Sequence, residues 1–548
     1  MEKLNGAQVL VDRLQMHGIR TVFGIPGGNI LPFYDALYRS TVRHILAKHE
    51  QGAAFMAQGM ARITGRPAVC VATSGPGATN LVTALADAQF DSVPLVAITG
   101  QVPRSLKGTE AFQEVDMVRL TRGITKRTFY VDGVDQLVPT VDLAFQLAAS
   151  GRPGPVVIDV PKDVQQAAYS CRRIAPLDEV PVECDLNSFR IREFCRMVHQ
   201  AARPVIIAGH GVALSGAEPE LRQLSEIRRI PVVTTLHGIG CLEPDHPLYL
   251  GMAGMHGLPL ANHTLNSADL VIALGIRFDD RLTGNIGIFC PNAQFIHIDI
   301  DAAQLNRLKQ VELPICGDLK MVLQAITPLL QSGQVPVTGG GLGKMAYSPS
   351  DFPGHFIRTL AQCLPDDAVV TTDVGQHQMW VAQWFPFKQP GCFLTSGGQG
   401  TMGFGLPAAI GAAVAMPRRK VVYIAGDGSL LMNLQEMATL GELGANVTIV
   451  VLNNGGLGMV RQQQELFYDN RLSASQLSKP IRFDAVAAAF GIRSAHIKLA
   501  DTARLPGLLD GSGPLVIDVD THAGHMVWPM VVPGHSVDRI MGAGKVDI

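Results

Sequence analysis

The chain has 548 residues, which is too many for a single hydrophobic core, so about two to four domains are expected. A formal net charge of −2, with 17% charged residues and no basic block, argues against nucleic acid or an anionic membrane surface as a main partner. Nine cysteines without a CxxC pair, and the lack of an uninterrupted apolar run of about 18 residues, favour a cytoplasmic protein without a membrane span.

Residues 1–168 form the first predicted domain, in which short apolar strands alternate with helices. The opening helix mixes acidic and basic residues, unlike a signal or transit peptide. The predicted strands are residues 21–23, 44–48, 68–72, 95–98 and 156–160. Polar residues, glycine or proline follow these strands, a repetition that is typical of an open parallel sheet with helices on both faces.

Two further domains of the same kind are predicted. The central domain, residues 187–330, has apolar strands at 205–208, 232–235, 270–274 and 295–300, and the last domain spans 354–548. A strand-poor stretch at 173–186 and a Gly/Pro/Ser-rich stretch at 331–353 are interpreted as linkers. The expected fold class is α/β, with three domains that each have a central, mainly parallel sheet flanked by helices. The similar plan of the first and third domains indicates a duplicated sheet.

The stretch from residue 421 to 459 carries the strongest motif. An apolar run ends in Gly426-Asp427-Gly428, one helix is predicted from the apolar spacing of residues 430–440, and a second apolar run ends in Asn453-Asn454. Carboxyl ends of parallel strands meet at one edge of a sheet, where a carboxylate and an amide oxygen suit Mg²⁺ shared with phosphate. The alternative is a plain corner, with Asp427 capping the helix and the asparagines forming a turn.

The spacing of GDG and NN, with 24 residues between them, resembles the thiamine diphosphate and magnesium motif. By this resemblance, Asp427 and Asn454 give side-chain oxygens and Gly456 gives its main-chain carbonyl to the metal. Gly426, Gly428 and Ser429 belong to the same cofactor-binding set.

Glu50 follows a predicted strand and precedes a helix of small residues, within the sequence KHEQGAA. Taken alone, it could be a solvated carboxylate at a helix N-terminus. Thiamine diphosphate, however, needs a buried carboxylate that hydrogen-bonds its aminopyrimidine ring, so that the cofactor can act as its own base. KHEQGAA resembles the place where thiamine diphosphate enzymes keep that glutamate.

Over nearly its whole length, the chain resembles the catalytic subunits of acetohydroxyacid synthase (acetolactate synthase). The resemblance is carried by the blocks GIPGGNILP, HEQGAAFMAQGMAR, TSGPGATN, AFQEVD, SGRPGPVVIDVPKD, GMHG, RFDDRLTG, TTDVGQHQMW and GTMGFGLPAAIGA. It implies decarboxylation of pyruvate with thiamine diphosphate, Mg²⁺ and FAD. The hydroxyethyl unit is then joined to a second 2-ketoacid, which gives 2-acetolactate or 2-aceto-2-hydroxybutyrate in branched-chain amino acid synthesis.

The resemblance also implies a pyrimidine-binding first domain, an FAD-binding central domain, and a diphosphate- and Mg²⁺-binding last domain that ends in a C-terminal lid. It further implies roles for individual residues. The thiamine site would further include Pro26, Gly27, Val374, Gln376, His377, Gly400 and Met402. The central FAD cleft would be formed by Gly209, Gly211, Gly254, Met255, His256, Arg277, Asp279, Asp299 and Asp318. The catalytic set would be Glu50, Phe112, Gln113, Lys126 and Arg281, with Arg281 pairing with the carboxylate of the incoming ketoacid.

The chain departs from the family pattern at two positions that bear on ligand contacts. His210 interrupts an expected GGG, and Gln463 stands where many members carry tryptophan. Because Glu50 and Asp427 lie in different domains, the site is expected at an interface between domains. The resemblance implies that this interface joins two subunits of a homodimer or homotetramer, with a small regulatory subunit as a further candidate partner. The rivals are an FAD-linked pyruvate oxidase, another carboligase such as glyoxylate carboligase, or a degenerate cofactor-binding homologue.

Overall fold

The computed structural model describes residues 4–170, 184–331 and 352–542. Most of the two predicted linkers, at 173–186 and 331–353, lies outside these residues. The described chain forms three six-stranded parallel sheets, each flanked by helices, which confirms the predicted α/β class.

The first sheet has the order β2-β1-β3-β4-β6-β5. Its strands are β1 (Thr21–Gly24), β2 (Arg43–Leu46), β3 (Ala68–Ala72), β4 (Leu95–Gln101), β5 (Arg127–Tyr130) and β6 (Pro155–Pro161). Its helices are α1 (Gly6–Met16), α2 (Leu31–Tyr38), α3 (Glu50–Thr64), α4 (Pro76–Thr79), α5 (Val82–Phe90), α6 (Met117–Thr121), α7 (Leu137–Ala149) and α8 (Lys162–Gln166).

The central sheet has the order β12-β11-β10-β7-β8-β9. Its strands are β7 (Pro204–Ala208), β8 (Val232–Thr234), β9 (Tyr249–Met252), β10 (Leu270–Leu274), β11 (Gln294–Asp299) and β12 (Leu313–Cys316). Its helices are α9 (Ser188–Gln200), α10 (His210–Ser215), α11 (Glu218–Arg228), α12 (Pro259–Asn266), α13 (Asp280–Thr283) and α14 (Leu319–Ile326). Numbered within the domain, the strand order is 3-2-1-4-5-6, the doubly wound order that binds dinucleotides where the sheet reverses direction.

The third sheet has the order β14-β13-β15-β16-β18-β17. Its strands are β13 (Val369–Thr372), β14 (Phe393–Leu394), β15 (Val421–Gly426), β16 (Val447–Asn453), β17 (Arg493–Lys498) and β18 (Leu515–Asp520). Its helices are α15 (Pro353–Gln362), α16 (Gln376–Trp384), α17 (Gly405–Ala415), α18 (Asp427–Leu430), α19 (Glu436–Leu443), α20 (Gly458–Phe467), α21 (Phe483–Ala489) and α22 (Leu505–Leu509). This order repeats that of the first sheet, as a duplication predicts, and a hairpin of β19 (Met530–Val531) and β20 (Ile540–Met541) follows.

The first and third sheets share one hydrophobic core, because α3 packs directly against α17. The helices approach closely at glycines. A Cβ on Gly59 would lie 2.1 Å from the carbonyl oxygen of Ala408, and a Cβ on Gly411 would lie 1.8 Å from that of Met56. The first turn of α3, which begins at Glu50, is therefore held against the third domain of the same chain.

Several element boundaries differ from the prediction. The single helix expected after Gly428 is two helices, α18 and α19, because buried Asn433 turns inward and donates from Nδ2 to the carbonyl of Gly403 at 2.7 Å. The strand predicted at 44–48 ends at Leu46, since the amide of Lys48 donates to Glu436 instead of to the sheet. Short strands such as β5 and β12 were missed. Within the described ranges, no helix has the length and apolar character needed to cross a membrane.

Candidate functional site

The GDG and NN segments meet at the carboxyl edge of the third sheet. β15 and β16 pair in parallel with Gly426 opposite Leu452, so Asp427 and Asn454 leave neighbouring strands side by side. The carbonyl oxygen of Gly456 lies beside Gly428, at 3.7 Å from the position of a Cβ there. The structure therefore brings together the three residues predicted to bind the metal.

The carboxylate of Asp427 is the observation that fits a cation site best. Its residue is 1% exposed, and neither side-chain oxygen has a hydrogen-bond partner within the described part of the chain. Burial raises the pKa of this carboxyl to about 6, and the dipoles of nearby backbone N–H groups oppose this only in part. A buried carboxylate without partners is costly unless a cation binds it, so the residues fit a Mg²⁺ site.

Polar residues of α16 line the same edge. Gln376 accepts from Asn454 Nδ2 at 3.3 Å, and its own Nε2 donates to Gln462 Oε1 at 2.9 Å. His377 is buried, and burial lowers its pKa to about 3, so the ring is neutral. Its Nε2 has no hydrogen-bond partner among the described residues, so this atom remains available to a ligand. Ser429 closes the turn by donating to the carbonyl of Gly426 at 3.0 Å.

A cavity of about 900 Å³ extends from the central domain to the first and third domains. Predicted residues that line it are Gly211, Met255, His256, Arg277, Asp279, Arg281, Asp299, Asp318, Val374 and Gly400. Glu50, Gly27, Phe112, Gln113 and Lys126 are not among its lining residues. Within a single chain, the predicted site residues of the first domain therefore lie away from this cavity.

The cavity opens where the strand order of the central sheet reverses, between β7 and β10. Gly209 and Gly211 follow β7 and contact the turn after β10. A Cβ on Gly211 would lie 2.6 Å from Gly275 Cα, and a Cβ on Gly209 would lie 2.4 Å from the Gly275 carbonyl oxygen. These glycines allow the two strand exits to approach closely, at the point of a doubly wound sheet where dinucleotides bind.

Acidic and basic residues of the cavity supply polar groups for such a ligand. Asp299 is the last residue of β11, and burial raises its pKa to about 6. Asp318 caps α14 and also accepts from Ser215 Oγ at 2.8 Å, while Asp279 caps α13. Both aspartates therefore have the structural capping role as well as a place in the cavity wall. Arg277 lies over the ring of Phe90, 5.8 Å from its centre.

Arg281 stands at the edge of the cavity with its side chain 67% exposed. Its Nη1 lies 3.1 Å from Met255 Sδ, and its Nε lies 3.7 Å from Asp280 Oδ2, an ion pair in which both side chains are exposed. Gly254 has a φ of +107° beneath this corner, and a Cβ there would lie 2.5 Å from the carbonyl oxygen of Arg281. The exposed guanidinium of Arg281 therefore stands at the rim of the cavity.

The C-terminal hairpin packs beside the same corner of the central domain. The amide of Val531 donates to the carbonyl of Met255 at 2.8 Å. His256 Nδ1 lies 3.4 Å from the carbonyl of Pro529, and burial lowers the pKa of this ring to about 4. The lid expected at the C-terminus accordingly lies against the cavity.

A buried charge cluster of the first domain anchors the loop that carries Gly400 and Met402. Asp91 accepts from the amides of Gly397 and Gly398 at 2.9 and 2.7 Å, and it pairs with Arg62 at 2.9 Å. Asp87 accepts from Thr401 Oγ1 at 3.0 Å and from Ser396. The loop therefore has a buried, charged base, while its tip, including Gly400, faces the cavity.

A second cluster forms around Glu50 in the first domain. Its Oε2 accepts from Asn80 Nδ2 at 2.9 Å, and its Oε1 would lie 3.2 Å from a Cβ on Gly77. Gly27, which follows Pro26, packs on Thr73, where a Cβ would lie 2.6 Å from the threonine Cβ. The predicted residues Pro26, Gly27 and Glu50 therefore surround one set of strand exits.

The remaining predicted catalytic residues occupy two places. Gln113 has a φ of +63° and packs against Gly75 in the Glu50 cluster, and neighbouring Phe112 is 87% exposed. Lys126 contacts a different loop, since its Nζ donates to the carbonyls of Ser150 and Arg152 at 2.7 and 2.9 Å. Burial lowers the pKa of Lys126 to about 8.

Sequence reasoning missed several residues of the cavity wall, among them Ser92, Arg152, His237 and Gln304. His237 stacks on His210 with ring centres 5.0 Å apart, and its Nε2 lies 3.2 Å from Asp91. Arg152 pairs with Asp301 at 3.6 Å. The SGRPG block pointed to Arg152 as part of a motif, but no sequence signal linked His237 to Asp91.

Comparison with protein-family models gives three matches in the order of the three sheets. The N-terminal TPP binding domain of thiamine pyrophosphate enzymes matches residues 4–120, the central domain matches 191–326, and the C-terminal TPP binding domain matches 373–519. Together with the site at the third sheet, these matches define a thiamine pyrophosphate enzyme.

Curated relatives narrow this class. The chain is 47% identical to acetolactate synthase isozyme 1 large subunit of Escherichia coli K12, over 99% of this chain and 98% of the relative. It is 45% identical to the isozyme 2 large subunit of the same organism, over 98% and 99%. It is 42% identical to a probable acetolactate synthase large subunit of Methanocaldococcus jannaschii, over 99% and 96%. The chain belongs to the acetolactate synthase family.

Proposed function

We propose that the chain is a catalytic subunit that condenses two 2-ketoacids with loss of CO₂, forming 2-acetolactate from pyruvate or 2-aceto-2-hydroxybutyrate when 2-ketobutyrate is the acceptor. Membership of the acetolactate synthase family gives the reaction class. The observation that carries the proposal is the buried carboxylate of Asp427 beside Asn454, which has no hydrogen-bond partner in the described part of the chain and lies in the domain that matches the TPP binding model.

For the metal, we assign Asp427, Asn454 and the carbonyl of Gly456 as protein ligands of Mg²⁺. Hard oxygen donors and room for diphosphate oxygens are what this ion prefers. Bound thiamine diphosphate supplies a carbon nucleophile that can accept and release the acyl carbon of a 2-ketoacid. Gln376 and His377 lie at the same edge, where the neutral ring of His377 can exchange hydrogen bonds without adding charge.

Glu50 is assigned to the aminopyrimidine ring of the cofactor. It accepts a hydrogen bond from Asn80 and lies at the start of α3, so its side-chain oxygens can accept a further hydrogen bond from a ring nitrogen. Phe112 and Gln113 stand in the same cluster and would face the reacting carbonyl. Gly400 and Met402 would support the ring from the anchored loop.

The division of these residues supports a dimer. The Glu50 cluster and the Asp427 edge lie in different domains of one chain, and Glu50 does not line the large cavity that Gly400 and Val374 share. We infer that a second copy of the chain brings its Glu50 cluster to this edge. The exposed ring of Phe112 would then be covered. The printed names of the relatives, "large subunit", support a further, smaller partner chain.

FAD is assigned to the central cavity. The support is its position at the reversal of the strand order, its glycine-lined floor and its polar groups, including Arg277 and Asp299. The acceptor ketoacid is assigned to the adjoining corner, where Arg281 would hold its carboxylate. Met459 and Gln463 of α20 line the same cavity and would meet the acceptor's alkyl group.

The test is product identification from pyruvate, with each of thiamine diphosphate, Mg²⁺ and FAD omitted in turn. Formation of one acetolactate and one CO₂ for every two pyruvates consumed supports the proposal. Oxygen-dependent peroxide as the main product would instead establish an oxidase. Binding of the cofactors without pyruvate consumption would establish a non-catalytic protein.

A further inference from the structure

Glu436 is a buried carboxylate that the assignments above do not use. It is 0% exposed and stands at the first position of α19 in the third domain. Burial raises its pKa to about 6. Such a group is costly to bury, so the hydrogen bonds that compensate it show what it holds in place.

Its hydrogen bonds run to the segment that precedes Glu50. Oε1 accepts from the backbone amides of Lys48 and His49, both at 3.0 Å, and Oε2 accepts from Thr439 Oγ1 at 2.8 Å. His49 is the N-cap of α3, and Glu50 is the first residue of that helix. The partners lie 388 and 387 residues apart along the chain, so this contact joins two domains directly at the start of α3.

Glu436 also packs tightly against the first turn of α3. A Cβ on Gly52, in the first turn of α3, would lie 2.4 Å from Glu436 Oε1. Gly52 has an ordinary helical conformation, so its role is to let the carboxylate approach the helix. These contacts therefore fix the position and orientation of the first turn of α3 relative to the third domain.

We propose that Glu436 is a positioning residue for Glu50, which it acts on through the amides of Lys48 and His49. This inference rests on the role proposed above for Glu50. The carboxylate of Glu50 must meet one ring nitrogen of the cofactor at hydrogen-bond distance. A displacement of about 1 Å in such a group can cost roughly 10²-fold in rate.

The readout is the exchange rate of the C2 hydrogen of bound thiamine diphosphate with D₂O, measured by acid quench and NMR on protein loaded with Mg²⁺, FAD and cofactor. This rate reports proton removal before any ketoacid binds, so it is independent of turnover. Glu50→Gln sets the lower reference, with an expected loss of roughly 10²–10⁴-fold.

Glu436→Ala leaves two amides without their acceptor, and exchange should slow by roughly 10²-fold while cofactor affinity stays the same. Glu436→Gln keeps an oxygen that accepts both amides, and exchange should stay within about threefold of the unmodified protein. Gly52→Ala keeps both glutamates and favours the helix, yet it should slow exchange because its methyl group displaces Glu436.

Glu442→Gln is the matched control. Glu442 also belongs to α19 and pairs with Lys48, through Nζ at 2.8 Å, but the pair is exposed. Its loss should leave exchange unchanged.

The outcomes separate the two levels of inference. Normal exchange in Glu436→Ala beside slow exchange in Glu50→Gln overturns the positioning role and leaves the proposed function intact. Normal exchange in Glu50→Gln overturns the assignment of Glu50 itself. Slow exchange in Glu436→Gln equal to that of Glu436→Ala means that the charge matters rather than the hydrogen bonds, which also overturns the proposal. If Glu436→Ala does not fold, Gly52→Ala decides: slow exchange supports positioning and normal exchange refutes it.

Discussion

Replacing Asp427 with asparagine should raise the free energy of unfolding when Mg²⁺ is absent. When Mg²⁺ and thiamine diphosphate are present, the same replacement should lower it. Without a cation, the carboxylate is buried with no hydrogen-bond partner among the described residues, and its pKa is raised from 3.8 to about 6. An acid whose pKa is higher in the folded state lowers stability as pH rises from the unfolded pKa to the folded one, and the full cost remains above that window. Two pKa units correspond to about 3 kcal/mol at pH 8, falling to about 1.5 kcal/mol at pH 5.

The assay is urea unfolding of the unmodified and Asp427→Asn proteins at pH 8 and pH 5, with chelator or with saturating Mg²⁺ and cofactor. Ligand at about 100 times its dissociation constant should add about 2.7 kcal/mol to the unmodified protein. The variant should gain much less, which reverses the order of stability. Asp469→Asn removes an exposed carboxylate and should change neither curve. A variant that is less stable than the unmodified protein in chelator at pH 8 would refute the reasoning.

Three further predictions follow from other parts of the site. Asp91→Ala breaks a buried ion pair and should cost about 3–5 kcal/mol of unfolding free energy and raise the thiamine diphosphate dissociation constant, whereas Asp163→Ala at an exposed pair should cost less than about 1 kcal/mol. Unchanged cofactor affinity in Asp91→Ala would contradict the anchoring of the 396–402 loop. Gln463→Trp should add an apolar wall worth about 1–3 kcal/mol and raise the share of 2-aceto-2-hydroxybutyrate when pyruvate and 2-ketobutyrate compete, from a low value in the unmodified enzyme. A strong initial bias toward 2-ketobutyrate would place the wall elsewhere. Purified protein should be yellow, and anaerobic pyruvate should not bleach the flavin stoichiometrically; complete bleaching coupled to turnover would indicate an oxidase.

The sequence by itself determined the fold class and the meeting of the GDG and NN segments at one edge of the third sheet. Buried parallel strands are continuous apolar runs, so strands such as Ala68–Ala72 and Leu270–Leu274 could be predicted to the residue. The GDG and NN segments could be paired because parallel strands end at one edge, and their spacing resembles a known motif. Local patterns of this kind need no knowledge of distant contacts.

Helix boundaries near the site depended on tertiary contacts. The apolar spacing of residues 430–440 is compatible with one helix, but Asn433 breaks it by donating to Gly403, a residue 30 positions earlier. Similarly, the strand that leads to Glu50 stops early because Lys48 bonds to Glu436. Periodicity cannot show these interruptions, since the competing partner is remote in sequence.

Only the tertiary structure decided which charged residues support the 396–402 loop and the first turn of α3. Asp91 reaches Gly397 across 306 residues, and Glu436 reaches His49 across 387. In the sequence, neither Asp91 nor Glu436 lies in a pattern that distinguishes it from a solvated surface charge. Their burial follows from the close packing of α3 on α17, which depends on glycines in both helices at once. A buried charge is stable only where several donors converge, and that convergence is a property of three domains packed together.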